Sequence, residues 1–171
     1  DGQKLVVKFM ATPDNSVLDT LLPMIGKSWK EIGVDLRTTT VDFNTLGSTL
    51  PDDSKLGEWS AFFMAMGYTG TIDTDVNSMY GSDKNGKVYS DNYARISDTE
   101  LNKYMEGGYR TSDSKVSADN YLKMMERANE LMPYLPLYAN NYFDLYNKRV
   151  KGLETGPVHT WSQAMDKVTL E

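Results

Sequence analysis

The sequence predicts an α/β fold, a mixed β-sheet flanked by helices, on three observations. The first 41 residues read strand, helix, strand. The run Trp59-Ser60-Ala61-Phe62-Phe63-Met64-Ala65-Met66 is too apolar for a strand with one face in water, which places it centrally in a sheet. Helical periodicity then returns between Ser97 and Met132.

Leu5 to Met10 mixes alternation with an apolar pair and reads as a strand. Asp14-Asn15-Ser16 supplies side-chain oxygens that cap a helix start. Val17, Leu18, Leu21, Ile25, Trp29 and Ile32 follow at helical spacing, with Pro23 as a kink or a late start. Gly33 can take the left-handed conformation that ends helices. The β-rich run Val34 to Val41 comes at once, so the unit is β-α-β with parallel strands and a right-handed crossover. Asp42 to Leu50 reads as a short helix and Pro51 to Lys55 as a turn.

After the apolar run, Gly67 to Asp75 reads as a loop rich in Gly, Thr and Asp, with irregular chain on to Ala94 and a tight turn at Lys84-Asn85-Gly86. Ser97-Asp98-Thr99-Glu100 forms a capping box that opens a helix through Leu101, Tyr104 and Met105. Gly107-Gly108 is expected to end or weaken it. A longer amphipathic helix covers about 117–132, with Ala118, Tyr121, Leu122, Met125, Ala128 and Met132 on one face. Pro133 and Pro136 stop it; Leu135 to Tyr138 is extended, and Tyr142 to Val150 is a candidate strand.

The 171 residues correspond to about one domain and suffice for an ordinary core. Eighteen basic against 24 acidic residues give a net charge of -6, which argues against nucleic acid and against an anionic membrane surface as partners. The absence of cysteine excludes disulfides, thiolate catalysis and Cys-ligated zinc. No apolar run approaches the roughly 18 residues of a membrane span. Asp1-Gly2-Gln3-Lys4 leads straight into the first strand without the features of a leader, as in a small mature protein or a piece of a larger one.

Isolated motifs are weak. Gly26-Lys27-Ser28 matches the end of a phosphate-binding loop, but Leu21 stands where that loop needs glycine and the tripeptide falls within a helix. Asp73-Thr74-Asp75-Val76-Asn77 begins like a calcium loop, yet Ser78 replaces the turn glycine and Lys84 the final glutamate. A looser cation site or a helix cap explains the same oxygens. His159 is the only histidine, and no nucleophile elbow accompanies it. Tyr134, Tyr138, Tyr142 and Tyr146 read as extended polar-aromatic surface, of a kind that can line a groove but more often seals a sheet edge.

Four segments together resemble the C-terminal lobe of the family 5 extracellular solute-binding proteins, the oligopeptide- and dipeptide-binding components of ABC importers. They are the β-α-β unit ending Trp29-Lys30-Glu31-Ile32-Gly33-Val34-Asp35-Leu36, the strand running from Glu58 to Gly67-Tyr68, the stretch Asn92 to Asn102, and Met132-Pro133-Tyr134-Leu135-Pro136-Leu137-Tyr138 with Val150-Lys151-Gly152-Leu153 beyond it. The resemblance implies one lobe of a periplasmic-binding-protein-like (type II) fold. Residues 1–140 would be the C-terminal ligand-binding lobe and 141–171 a tail returning toward the N-terminal lobe. It also implies substrate capture between two lobes that close by hinge motion, most readily of oligopeptides. No catalytic residue, metal or cofactor is implied.

The implied partners are a peptide or other small solute, the N-terminal lobe of the same protein and an ABC permease. The implied location is extracytoplasmic, as a cell-surface lipoprotein or in the periplasm. The ligand contacts carried over are Gly67, Tyr68, Thr69, Gly70 and Thr71. Tyr68 stands where the family has tryptophan and Thr71 where it has an aspartate, so Asp73 or Asp75 is left to supply the charge. That departure keeps oligosaccharides and metal chelates open as ligands. Two rivals remain at this level: a small free-standing hydrolase-like α/β enzyme using Asp73 or Asp75, and an intracellular interaction domain presenting the tyrosine-rich segment.

Overall fold

The computed structural model describes residues 2, 4–67, 72–141, 143–156 and 161–171, the side chains of 72–75 and 164 excepted. Residues 1–66 and 67–171 form two separate units.

The first unit is the predicted β-α-β. Strand β1 (Leu5–Ala11) pairs in parallel with β2 (Val34–Thr40) along its full length, Leu5 against Val34 and Ala11 against Thr40. Between them α1 (Ser16–Glu31) is capped by Asn15, whose Oδ1 accepts the N–H groups of Val17 and Leu18, each at 3.2 Å. The helix runs through Pro23 without a late start. Pro23 and Asp19 one turn earlier are both exposed, so water can serve the carbonyl that proline leaves without a partner. Leu18 is buried, and Gly33 takes φ +84° to turn the chain into β2. Helix α2 (Phe43–Thr49), capped by Asp42, buries Leu46 completely.

The apolar run 59–66 does not become a central strand. Only β3 (Ala61–Phe62) pairs, in parallel with β1, and the order among the described residues is β2-β1-β3. β1 takes the centre because it has partners on both edges. Ser60 fixes the register of β3: its N–H donates to the Lys8 carbonyl at 2.8 Å and its Oγ accepts the Lys8 N–H at 3.1 Å. Trp59 and Phe62 meet edge to face, 5.6 Å apart, and the run is half-buried rather than enclosed.

The second unit is built on helices. Its described elements are α3 (Ile72–Tyr80), α4 (Thr99–Tyr109), α5 (Ser114–Leu131) and a ribbon of β4 (Val150–Lys151) antiparallel to β5 (Thr169–Leu170). Its core joins Val76, Leu101, Met105, Tyr121 and Met124. The cap of α4 is Asp98, one residue later than the capping box predicts; its Oδ1 accepts the Leu101 N–H at 2.8 Å. The hydroxyl of Ser97 lies 3.1 Å from that of Ser82 instead.

The glycine pair does not end α4. A β-carbon at Gly107 would come within 2.5 Å of Asn120, and one at Gly108 within 2.7 Å of the Tyr121 ring, so the two glycines are where α5 crosses closely. Proximity to a packed helix outweighs their poor propensity. The buried face of α5 is Tyr121 and Met124; Leu122, Met125 and Met132 are exposed, a rotation from the predicted stripe. α5 stops at Met132, left-handed at φ +47° before Pro133.

Asp98 also receives Arg127 from α5 in a fork, Nη2 to Oδ2 at 2.8 Å and Nε to Oδ1 at 3.3 Å. The candidate strand 142–150 is not one; Tyr142 lies outside the described residues, and only Val150 of that stretch pairs. Segment 141–171 pairs with itself: Arg149 and Glu171 exchange main-chain and side-chain bonds, and Lys167 meets Glu154 at 2.9 Å.

Two measurements check this packing. Gly108→Ala gains about 1 kcal/mol of helix propensity but overpacks against a buried ring, at a cost of about 1–3 kcal/mol. It is expected to lower the urea midpoint, whereas Gly47→Ala in α2, with open space around it, is expected to raise it. A midpoint unchanged or raised in Gly108→Ala contradicts the close crossing.

The Arg127 guanidinium, hydrogen-bonded to Asp98, holds that carboxyl below its ordinary range. A depressed folded-state pKa stabilises fully above about pH 4 and is lost as pH falls through the depressed value. Asp98→Asn keeps a capping oxygen but not the charge. Between pH 7 and pH 2 it is therefore expected to lose less thermal stability than wild type.

Candidate functional site

The expected ligand loop spans residues 67–75. Gly67 is exposed, at the end of the half-buried run. Tyr68, Thr69, Gly70 and Thr71 lie outside the described residues. Asp73 and Asp75 are not in a loop: their backbone forms the first turn of α3, and their side chains are not described. Acidic residues there complement the positive end of the helix macrodipole. The irregular stretch expected from Gly67 to Ala94 thus contains a nine-residue helix. Val76, the first residue of α3 with a described side chain, faces the core with Leu101 and Met105. His159 also lies outside the described residues.

Helix α3 is anchored along its buried face and at its far end. Val76 and Met79 are buried, and the helix packs on α4. Beyond its last residue the chain turns sharply at Gly81, whose N–H donates to the Asn77 carbonyl at 3.1 Å. A β-carbon at Gly81 would stand 2.4 Å from that carbonyl oxygen and 2.6 Å from the Tyr89 ring. Only glycine fits.

The Gly81 carbonyl accepts from Asn92 Nδ2 at 2.9 Å. Asn92 is 1% exposed; its Nδ2 also donates to the Ile96 carbonyl at 2.8 Å, and its Oδ1 accepts the Ile96 N–H at 3.1 Å. Asn102 closes the other side: its Oδ1 accepts the Ser82 N–H at 3.1 Å and its Nδ2 donates to Ser82 Oγ at 2.7 Å. The turn at Lys84-Asn85-Gly86 is present, with Gly86 at φ +83° and Asp83 accepting the Asn85 and Lys87 N–H groups.

Asn92 and Asn102 hold the chain that follows α3, and reading the sequence for chemistry did not single them out. The signal available for Asn92 was composition, an asparagine in a stretch with no strand or helix pattern where main-chain groups need side-chain partners; Asn102 lies within the helix read from Ser97 and carried none. Tyr134, assigned to a sheet edge, is instead mostly buried, and burial pushes its phenol up to about 12.

No family model matches the chain. It is 23% identical over 157 residues, 92% of its length, to the oligopeptide-binding protein AppA of Bacillus subtilis, and spans 28% of that protein. The solved structure of AppA in complex with a nonapeptide overlays all of the chain with a TM-score of 0.67 at 16% identity, using 32% of that structure. DppA from Helicobacter pylori, in complex with the peptide STSA, overlays 98% of it with a TM-score of 0.70 at 20% identity, using 31%. NikA from Staphylococcus aureus, in complex with Ni(L-His)2, overlays 98% with a TM-score of 0.66 at 14% identity, using 34%.

Gly81→Ala is expected to lower stability by about 1–3 kcal/mol through overpacking against main chain and ring, and to speed amide exchange in α3 more than in α5. Equal exchange in the two helices contradicts the anchorage described. The fold is that of the family 5 solute-binding proteins, which the chain resembles along its whole length while spanning about a third of theirs.

Proposed function

We propose that the chain is the C-terminal ligand-binding lobe of an extracytoplasmic solute-binding protein that captures oligopeptides for an ABC importer. The observation that carries this reading is the similarity of nearly the whole chain to AppA and DppA, whose solved structures hold peptides. The contacts are residues 67–71, with Asp73 and Asp75 at the start of α3, on a segment held at its far end by Gly81 and Asn92. The residue types there, two glycines, two threonines and Tyr68, suit capture through backbone groups and an aromatic wall. The relatives are binding proteins by name, which favours capture over the hydrolase-like alternative.

Residues 1–140 form the lobe and 141–171 return toward an N-terminal lobe of the same protein. Phe143 is 84% and Leu145 98% exposed, apolar surface that another element could cover. The partners are that lobe, a peptide, and a permease at the membrane. No described helix is long and apolar enough to cross a membrane. As the chain alone holds half of a two-lobed site, di- to octapeptides are expected to bind it weakly or undetectably in calorimetry, and micromolar binding contradicts the two-lobe reading.

The ligand itself is tested on the whole gene product, purified without denaturation and examined by native mass spectrometry. Co-purified peptides are the expected result. A nickel–histidine complex or an oligosaccharide in their place, with no binding of added peptides, overturns peptide capture.

A further inference from the structure

Of the eleven asparagines, Asn85 alone is followed by glycine. Glycine places no side chain beside its own main-chain nitrogen, so that nitrogen reaches the preceding side-chain amide more readily than in any other pair. Residues 84–87 are exposed, and the Asn85 side chain has no hydrogen-bond partner among the described residues. Elsewhere Asn15, Asn92, Asn102, Asn120 and Asn147 commit their side chains to hydrogen bonds. Asn44, Asn77 and Asn129 are held within helices.

The turn keeps the two reacting groups of Asn85 and Gly86 from meeting. The Gly86 N–H donates to the Asp83 carbonyl at 2.9 Å. The Asp83 carboxylate accepts the N–H groups of Asn85 at 2.8 Å and Lys87 at 2.9 Å. The same hairpin closes through the Asp83 N–H on the Lys87 carbonyl at 2.8 Å and the Tyr89 N–H on the Gly81 carbonyl at 3.1 Å. While these bonds stand, the Gly86 nitrogen is engaged with Asp83. Attack waits for the turn to open, and exposed hydrogen-bonded segments open locally far more often than a whole domain unfolds.

We propose that Asn85 is a site of spontaneous deamidation whose rate is set by Asp83. In the open turn the Gly86 nitrogen gives up its proton and forms a bond to Asn85 Cγ. The Cγ–Nδ2 bond breaks, and Nδ2 leaves with that proton as ammonia. Water then opens the cyclic imide at either carbonyl, which leaves aspartate or isoaspartate at position 85. Nothing is oxidised or reduced. Both products add a negative charge beside Asp83, and isoaspartate also lengthens the main chain by a carbon inside the turn. That extra carbon breaks the pairing of Asp83 with Lys87 and loosens the hairpin between Gly81 and Tyr89.

The test follows this chain by peptide mapping and mass spectrometry during storage in mildly alkaline buffer, beside Asp83→Ala and Asn85→Gln. In wild type, acid is expected at position 85, as both aspartate and isoaspartate, sooner than at any other asparagine. Asp83→Ala is expected to react about tenfold faster, since hydrogen bonds to a charged group no longer hold the turn. Asn85→Gln is expected to gain no acid there. Reaction at Asn85 no faster than at the other asparagines overturns the site, and equal rates in wild type and Asp83→Ala overturn control by the turn. Should Asp83→Ala not fold, wild type in guanidinium decides: a faster reaction than in buffer is expected, and an equal one overturns the restraint. In the separated isoaspartate form, amide exchange at Lys87 and Tyr89 is expected to rise, with the interiors of α4 and α5 unchanged; no rise overturns the loosening. No ligand enters these measurements, so they judge the site independently of peptide capture.

Discussion

A single buried side chain amide holds the second unit in shape. The chain between α3 and α4 has no regular ladder to satisfy its main-chain groups, and unpaired groups away from water cost about 1–3 kcal/mol each. Asn92 answers this with one acceptor and two donor bonds, all to main chain, at 1% exposure. It binds Gly81, the residue after α3, to Ile96, three residues before the start of α4. That closure fixes the chain that leaves α3 against the chain that leads to the cap at Asp98.

The surrounding contacts divide the work by physical type. Apolar packing of Val76 and Met79 sets how deep α3 lies against α4, and it is tolerant of sliding. Hydrogen bonds from Asn92, Asn102 and Tyr134 are directional and remove that tolerance. The Arg127 fork on Asp98 does the same between α4 and α5 while leaving the cap intact.

The β-α-β of the first unit was legible because its signals are local: Asn15 sits before an amphipathic run, Gly33 after it, and the β-rich runs on either side pair in parallel. The apolar run 59–66, read as a central strand, gives only the two-residue edge strand β3, because apolar content does not tell which strand gains partners on both edges. The second unit was legible only where local signals coincide with tertiary packing. The Gly107-Gly108 pair reads as a helix stop, since propensity is visible in sequence and the proximity of Asn120 and Tyr121 is not. The stripe on α5 was rotated by the same cause: Leu122 and Met125 fit the period as well as Met124, and only the position of α4 decides between them. Of the stretch 67–75 read as a loop, residues 72–75 form the first turn of α3, and Asn92 and Tyr134 act over 11 and 55 residues of separation from partners and leave no periodic trace.

The glycine pair in α4 has a consequence for how the unit forms. Two adjacent glycines in an 11-residue helix cost about 2 kcal/mol relative to alanines, and isolated helices of that length are marginal in water even with good residues. Helix α4 therefore has little existence before α5 arrives, and the crossing that needs glycine is also the contact that makes the helix stable. The two segments, separated by four residues, depend on each other for helix, and the contact that joins them is local in sequence and closes only a short loop.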